Sequence, residues 1–395
     1  MKKIVFFCIP AHGHTNPTLG VVRELISRGH QVWYYSYHMM REKIEATGAV
    51  FISCDDYDME QKLTSKDSVR VGKDLAFSTK ILVDTTLALD DKVCTDMEQL
   101  QPDCIVADSM AVWGKAVAMK LGIPFVSSTT TFAFNQYSAK IMRQSIREMI
   151  QMILSMPKIS EQIKRMQKNG YPVKSILDII QNDNDTHTIV YTSPEFQPCS
   201  ETFSDRYTFV GPSIRPVGDR PEDLIRKTRD KLLYISMGTV NNDMMPLYKR
   251  CLAAFADTNY QVIMSVGNLV SIEDLGALPE HITVYSHVDQ IAVLQMADAF
   301  ISHCGMNSVN ESLYFGVPLI MLPQTAEQRG VAERVSQLGA GIKLCKTDAA
   351  SIRAAAETIF SDNTYHQNAA KICKGFRKCS GAKGAADKIL EVCGL

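Results

Sequence analysis

Short, almost unbroken apolar runs recur along the whole chain, and helix-like stretches separate them. In the first half the runs are "KIVFFCI", "QVWYYSY", "AVFISC", "DCIVADS" and "IPFVSST", followed later by "HTIVYTSP" and "RYTFVGP". Between them, stretches such as "PTLGVVRELISR" and "VWGKAVAMKLG" repeat apolar residues at the spacing of an amphipathic helix. A strand without polar alternation is buried on both faces, so strands of this kind alternating with helices predict a parallel sheet covered on each side. From Ala133 to Gln181 the pattern is helical, irregular and rich in methionine. The alternation breaks at "GPSIRPVGDRPEDLIRKTRD", Gly211 to Asp230, where prolines, glycines and charges mark an exposed linker. It restarts with "KLLYISMG", "YQVIMSV", "ITVYSHV", "AFISHCG", "VPLIMLP" and "GAGIKL". The reading is an α/β chain of two doubly wound, Rossmann-like parallel-sheet domains, 1–212 and 231–375, joined by a linker at 213–230. A length of 395 residues agrees with two cores.

In open sheets of this kind ligands bind beyond the carboxyl ends of the strands. Two such domains facing each other would leave an interdomain cleft there, so strand ends are where chemistry is sought. The first strand runs into "IPAHGHTNPTLG", with His14 just ahead of Pro17, a residue suited to the first turn of a helix. Thr15 or Asn16 can cap that helix, and His14 has the pKa of a base near neutral pH. Taken by itself, a histidine there is more often a capping or packing residue, and His12 reads as shaping the loop. Asp108 ends "DCIVADS"; it suits either the N-cap of a helix near Met110 or the partner of an imidazole. Asp103, ahead of that strand, reads as a turn residue.

The richest stretch is "ISHCGMNSVNESLYFGVPLIMLPQTAEQ". A strand ends at His303, a Gly-bearing turn follows, and a helix begins near Asn307. Uncapped N–H groups, the helix dipole and small polar side chains make an anion site, to which His303, Asn307 and Ser308 can add donors. Glu311, one turn on, can accept hydrogen bonds from ribose hydroxyls. Glu327 and Gln328 sit at the next strand end, an acid and an amide suited to sugar hydroxyls, although an acid there also simply suits a helix N-terminus. The "MGT" turn at Met237 to Thr239 can offer a further phosphate donor. Asp183 and Asp185 in "QNDND" read as a turn rather than a metal site.

Composition narrows the class. Hydrophobic residues make up 46% and charged residues 22%, with a formal net charge of −1, so nothing suggests a polyanion binder or a nucleic-acid partner. No run reaches the length of a transmembrane helix, and the first apolar run reads as a strand rather than a signal peptide. Eleven scattered cysteines without a CxxC argue against a disulfide framework and a structural zinc, and fit a cytoplasmic protein. From Lys140 to Lys174, eight basic residues face two acidic ones; without a clean amphipathic span this reads as a solvated face rather than a membrane surface.

Together these residues resemble the Leloir glycosyltransferases of the GT-B fold, close to the bacterial macrolide glycosyltransferases within the UDP-glycosyltransferase superfamily. "PAHGHTNPTL" resembles the acceptor-side loop, "SPEFQPCSETFSDRYTFVGP" the segment before the linker, and "HVDQIAVL…HCGMNSVNESLYFGVPLIMLPQTAEQ" the nucleotide-sugar signature. The resemblance implies His14 as base and Asp108 as its acidic partner. It implies pyrophosphate ligands at His303, Asn307 and Ser308, with Gly305 admitting the backbone, a ribose acid at Glu311, and sugar readers at Glu327 and Gln328. Gly238 and Thr239 fall on the family's phosphate turn. The base platform, usually a tryptophan, falls on His287, with Val288 and Gln290 beside it. Imidazole stacks with less area than indole, so uridine is the expected base and thymidine stays open. The closing helix, about 376–395, is implied to return to the N-terminal domain.

The resemblance thus implies an inverting, metal-independent enzyme of natural-product glycosylation, without a cofactor. It would move a hexose, with glucose expected, from a UDP-sugar to a hydroxyl of a small, fairly apolar acceptor lined by Phe132 to Gln181, without stable membrane insertion. A nucleotide-sugar epimerase of the same fold and a non-catalytic nucleotide-sugar-binding partner protein are the alternatives. A nicotinamide oxidoreductase is disfavoured by the lack of GxGxxG in the first loop.

Overall fold

A computed structural model describes residues 1–57, 74–142, 146–180, 182–215, 225–238 and 242–395. The chain divides into two units: Met1–Ser193, Cys199–Ser213 and Cys379–Leu395 form unit 1, and Pro194–Pro198 with Ile214–Lys378 form unit 2.

Unit 1 runs β1 (Lys3–Phe7), α1 (His12–Ser27), β2 (Gln31–Ser36), α2 (Arg41–Glu45), β3 (Val50–Ser53), α3 (Leu75–Leu100), β4 (Cys104–Asp108), α4 (Val112–Leu121), β5 (Phe125–Thr129), α5 (Ile146–Lys168), α6 (Leu177–Ile180), β6 (His187–Val190) and β7 (Tyr207–Phe209). Its strands are parallel, in the order β3-β2-β1-β4-β5-β6-β7. Unit 2 runs β8 (Leu232–Ser236), α7 (Met245–Phe255), β9 (Gln261–Ser265), β10 (Ile282–Tyr285), α8 (Gln290–Leu294), β11 (Ala299–Ser302), α9 (Met306–Tyr314), β12 (Leu319–Met321), α10 (Ala326–Gln337), β13 (Gly341–Lys343), α11 (Ala349–Ser361) and α12 (Thr364–Lys378). Its strands are also parallel, in the order β10-β9-β8-β11-β12-β13. The last helix, α13 (Gly381–Val392), belongs to unit 1 and packs on α1.

The apolar runs explain the layering. Along β1, Val5 and Phe7 enter one core with Ile105 and Ala107 of β4, while Ile4 and Phe6 enter the opposite core with Cys104 and Val106. Successive side chains point to opposite faces, so an unbroken apolar strand needs helices on both sides. α13 fills part of the second face through Ala385, Ala386 and Ile389.

Both sheets reverse their strand order at the first strand, between β1 and β4 and between β8 and β11, the crevice position for ligands in open α/β sheets. Two helix starts differ from expectation. Neither Thr15 nor Asn16 caps α1: the chain doubles back where Ala11 N–H donates to the Ile9 carbonyl (2.8 Å), and extended Ala11 becomes the N-cap. That earlier start moves Pro17 inside the helix and puts His14 in its first turn. After Asp108, α4 begins at Val112 rather than near Met110, because Ser109 to Ala111 form a turn closed by Ala111 N–H on the Asp108 carbonyl (2.8 Å).

Candidate functional site

In unit 1, α1 and β4 bring together two residues far apart in sequence. His14 Nδ1 lies 2.8 Å from Asp108 Oδ2. Asp108 is 2% exposed, and its other oxygen accepts the Met110 N–H at 2.9 Å. Asp108 thus meets the imidazole with one oxygen, while the other closes the turn before α4 rather than capping a helix, since Ala111 is the N-cap of α4. A carboxylate can only accept, so Nδ1 carries the proton and Nε2 carries the lone pair. Thr130, just beyond β5, adds its Oγ1 at 3.1 Å from the same Nδ1. Below the pair, Cys8 Sγ meets Thr15 Oγ1 at 3.6 Å. Burial, and then the Asp108 charge, push the Cys8 thiol far up, so it stays protonated. His12 lies at the start of α1 with Nδ1 accepting from Lys43 Nζ at 3.3 Å. Burial and Lys43 lower its pKa, leaving a neutral ring that ties α1 to α2.

In unit 2, β11 delivers His303 into a slot between two glycines. A Cβ on Gly238 would stand 2.6 Å from His303 Cε1, and a Cβ on Gly305 would stand 2.6 Å from Nε2. Gly238 also has φ +81°, a left-handed conformation that side chains resist. Both glycines thus make room for the imidazole itself. Among the described residues His303 Nδ1 is buried without a hydrogen-bond partner, and burial lowers the pKa to about 4. The ring is neutral at pH 7, with one N–H to give and one lone pair. Beyond it, α9 starts at Met306 after its N-cap Gly305, with no side-chain cap among the described residues, so its first N–H groups keep the partial positive charge of a helix N-terminus. Asn307 and Ser308 sit in that first turn.

Further along α9, Glu311 Oε2 accepts from Gln290 Nε2 at 2.5 Å. The same Nε2 reaches Ser308 Oγ at 3.4 Å, and Tyr234 donates its hydroxyl to Gln290 Oε1 at 3.4 Å. Burial raises the Glu311 pKa to about 7, opposed by the Gln290 hydrogen bond and the Arg215 charge. The structure thus gathers Gly238, His303 and Gly305 into one group and Gln290, Ser308 and Glu311 into another, along one helix. His287 is exposed and Val288 half-buried on the loop between β10 and α8. Glu327 is exposed in the first turn of α10. Gln328 closes a capping box: its N–H donates to Thr325 Oγ1, and its Oε1 accepts from the Thr325 and Gln324 N–H groups. Thr239 lies outside the described residues. Asp183 accepts from the Asp185 N–H and the Thr186 hydroxyl, which makes Asp183 to Thr186 a turn.

Comparison with known proteins decides the family. Residues 249–378 match the family described as Erythromycin biosynthesis protein CIII-like, C-terminal domain. The chain is 33% identical to the NDP-glycosyltransferase YjiC of Bacillus licheniformis, covering 98% of this chain and 97% of that protein. The chain belongs to the glycosyltransferases. It is similar as well to YojK of Bacillus subtilis, named an uncharacterized UDP-glucosyltransferase, at 32% identity over 99% of this chain and 97% of that one. Among solved structures, CalG4, the calicheamicin glycosyltransferase, superposes with a TM-score of 0.82 at 25% identity, covering 100% of this chain and 98% of that one. The kitacinnamycin glycotransferase reaches 0.85 at 24% identity over 99% and 98%. The two Rossmann-like units are those of the GT-B fold. Among the described residues of this glycosyltransferase, no helix is long and apolar enough to cross a membrane.

Sequence reasoning passed over Thr130, Arg215 and Asp289 of this glycosyltransferase. Thr130 was hidden in the polar run "SSTTTFA". Asp289 had a legible signal, an acid directly before the short helical stretch "QIAVL". Its Oδ1 accepts the Ile291 and Ala292 N–H groups, and both its oxygens face Arg215.

Proposed function

We propose that this glycosyltransferase moves a hexose, glucose first among them, from a UDP-sugar to a hydroxyl of a small, fairly apolar acceptor, with inversion at the anomeric carbon. The observation that carries this reading is the His14–Asp108 pair, with Nδ1–H held by a buried carboxylate. His14 Nε2 takes the acceptor proton as the acceptor oxygen bonds to the anomeric carbon. The bond from that carbon to the diphosphate oxygen breaks, and UDP leaves with the electron pair. Asp108 stabilises the imidazolium that forms. In unit 2, the neutral His303 and the uncapped start of α9, with Asn307 and Ser308, offset the diphosphate charge in place of a metal ion. Glu311 accepts from the ribose hydroxyls, His287 and Val288 meet the base, and Glu327 with the Gln328 amide reads the sugar. Glucose and uridine are favoured by the name of the Bacillus subtilis relative.

The test is transfer from UDP-glucose and dTDP-glucose to a panel of phenolic and macrolide hydroxyls, with and without EDTA, and with the product anomer assigned by NMR. A β-glucoside formed from UDP-glucose in EDTA is expected. An α-glucoside overturns inversion, activity restored only by a divalent metal overturns metal independence, and preference for dTDP-glucose reassigns the donor. Absence of transfer from either donor to any acceptor sinks the reading.

A further inference from the structure

Arg215 lies where the chain enters unit 2, and its guanidinium forks onto Asp289, Nη1 to Oδ2 at 2.9 Å and Nη2 to Oδ1 at 2.5 Å. The Asp289 side chain is 4% exposed while that of Arg215 is 49% exposed, so the fork spans from the surface into the fold. Asp289 is also the N-cap of α8, and the next residue is Gln290. Gln290 in turn is aimed by Tyr234 on its oxygen and by Glu311 on its nitrogen. One chain of contacts therefore runs from Arg215 through Asp289 and Gln290 to Glu311.

We propose that the Arg215–Asp289 pair is a positioning clamp for the nucleoside diphosphate sugar: it holds Gln290 against Glu311 and governs how well Glu311 accepts from the ribose hydroxyls. This rests on the donor-binding reading given above. Neither clamp residue touches the sugar nucleotide; both act through Gln290 and Glu311.

The charges make the clamp separable from a plain structural tie. Glu311 must be ionised to accept two hydroxyls, and its pKa is about 7. Arg215 lowers that value and Asp289 raises it. The elements packed on α9 bring further charged and titratable groups. The end of β11 brings His303, neutral at this pH, and β8 brings the Tyr234 phenol, pushed far up by burial. On α10, Glu327 and Arg329 are exposed, Glu333 pairs with Lys343, and Arg334 donates to the Glu195 and Phe196 carbonyls. On α12, Cys373 and Arg377 meet Tyr314. Within this set, Arg215 and Asp289 shift Glu311 in opposite directions.

The experiment is calorimetric binding of UDP-glucose, without acceptor, from pH 6 to 9, for the wild type, Arg215→Gln, Asp289→Asn and Arg215→Lys. The diphosphate diester of UDP-glucose does not titrate in that range, and its uracil N–H begins to lose a proton only near the upper end, well above the expected midpoint. Asp289→Asn keeps the α8 cap, since an asparagine oxygen accepts the same two N–H groups. Wild-type affinity should rise with pH through about 7. Arg215→Gln should move that midpoint up by roughly half a pH unit or more, and Asp289→Asn should move it down. Arg215→Lys keeps the charge without the fork, so its midpoint should stay near wild type with weaker binding. Midpoints that move together or not at all overturn the clamp and leave the donor reading intact. Failure of the wild type to bind UDP-glucose across the range overturns the donor reading and the clamp with it.

Discussion

In unit 1 the sheet order reverses at β1 beside β4, in unit 2 at β8 beside β11, and the two strand pairs are built alike below their carboxyl ends. Asp103, one residue ahead of β4, accepts the Lys3 N–H at 2.8 Å; Asp298, one residue ahead of β11, accepts the Leu232 N–H at 2.7 Å. At the carboxyl ends the likeness stops. In unit 1 the histidine follows the first strand and meets a buried carboxylate from β4. In unit 2 Gly238 follows the first strand, the histidine follows β11, and its buried Nδ1 has no partner among the described residues. A carboxylate prepares an imidazole to gain a proton; a dry slot between glycines keeps one neutral. Equivalent places in two copies of one topology thus hold a candidate base and a candidate uncharged hydrogen-bond donor.

The comparison breaks first at His14. His14→Ala should lower kcat by about 10² to 10⁴ while calorimetry finds UDP-glucose affinity unchanged. Asp108→Asn should fall in the same range, because an amide can turn an N–H toward Nδ1 and select the wrong tautomer. Wild-type turnover in either variant removes the base from unit 1. Next comes Gly305→Ala, whose Cβ would press on His303 Nε2. Overpacking of this kind costs about 1 to 3 kcal/mol, and UDP-glucose binding should weaken by roughly tenfold or more. Unchanged binding would show that the slot has no part in holding the donor.

A pH series sharpens the contrast. His303 has a pKa of about 4 against an ordinary 6.5, so the unfolded chain takes up the proton first. The stability contributed by the neutral ring is complete above pH 6.5 and is lost as pH falls toward 4. Relative to His303→Gln, the wild type should lose about 3 kcal/mol across that window in denaturant titrations. A difference that stays flat with pH would mean that the ring is hydrated. The smallest effect is expected at Thr130→Val, which removes one neutral hydrogen-bonding group from His14 Nδ1; about fivefold in kcat is its scale.

Much of this was open to reading along the chain. The apolar runs and their spacing placed the strands, the break after Gly211 separated the two alternations, and Asp108, Gly238 and His303 were recognisable as strand-end residues. What they do there was less open. Gly305 was expected to admit a ligand's approach; the structure shows it making room for His303. Gln328 was expected to read sugar, and its carbonyl is engaged in a capping box. A strand-end residue has several partners within reach in principle, and local sequence does not choose among them.

Burial periodicity and capping preference act over a few residues, so the sequence by itself determined the strands, the helices, the two units and the edge at which polar residues gather. The meetings of distant side chains were decided by tertiary structure. His14 meets Asp108 across 94 positions and Thr130 across 116, and Arg215 meets Asp289 across 74. The first of these pairings follows from β1 and β4 becoming neighbours at the reversal of their sheet. That neighbourhood is set by how all the helices cover both faces together, a collective packing outcome that no short stretch of chain encodes.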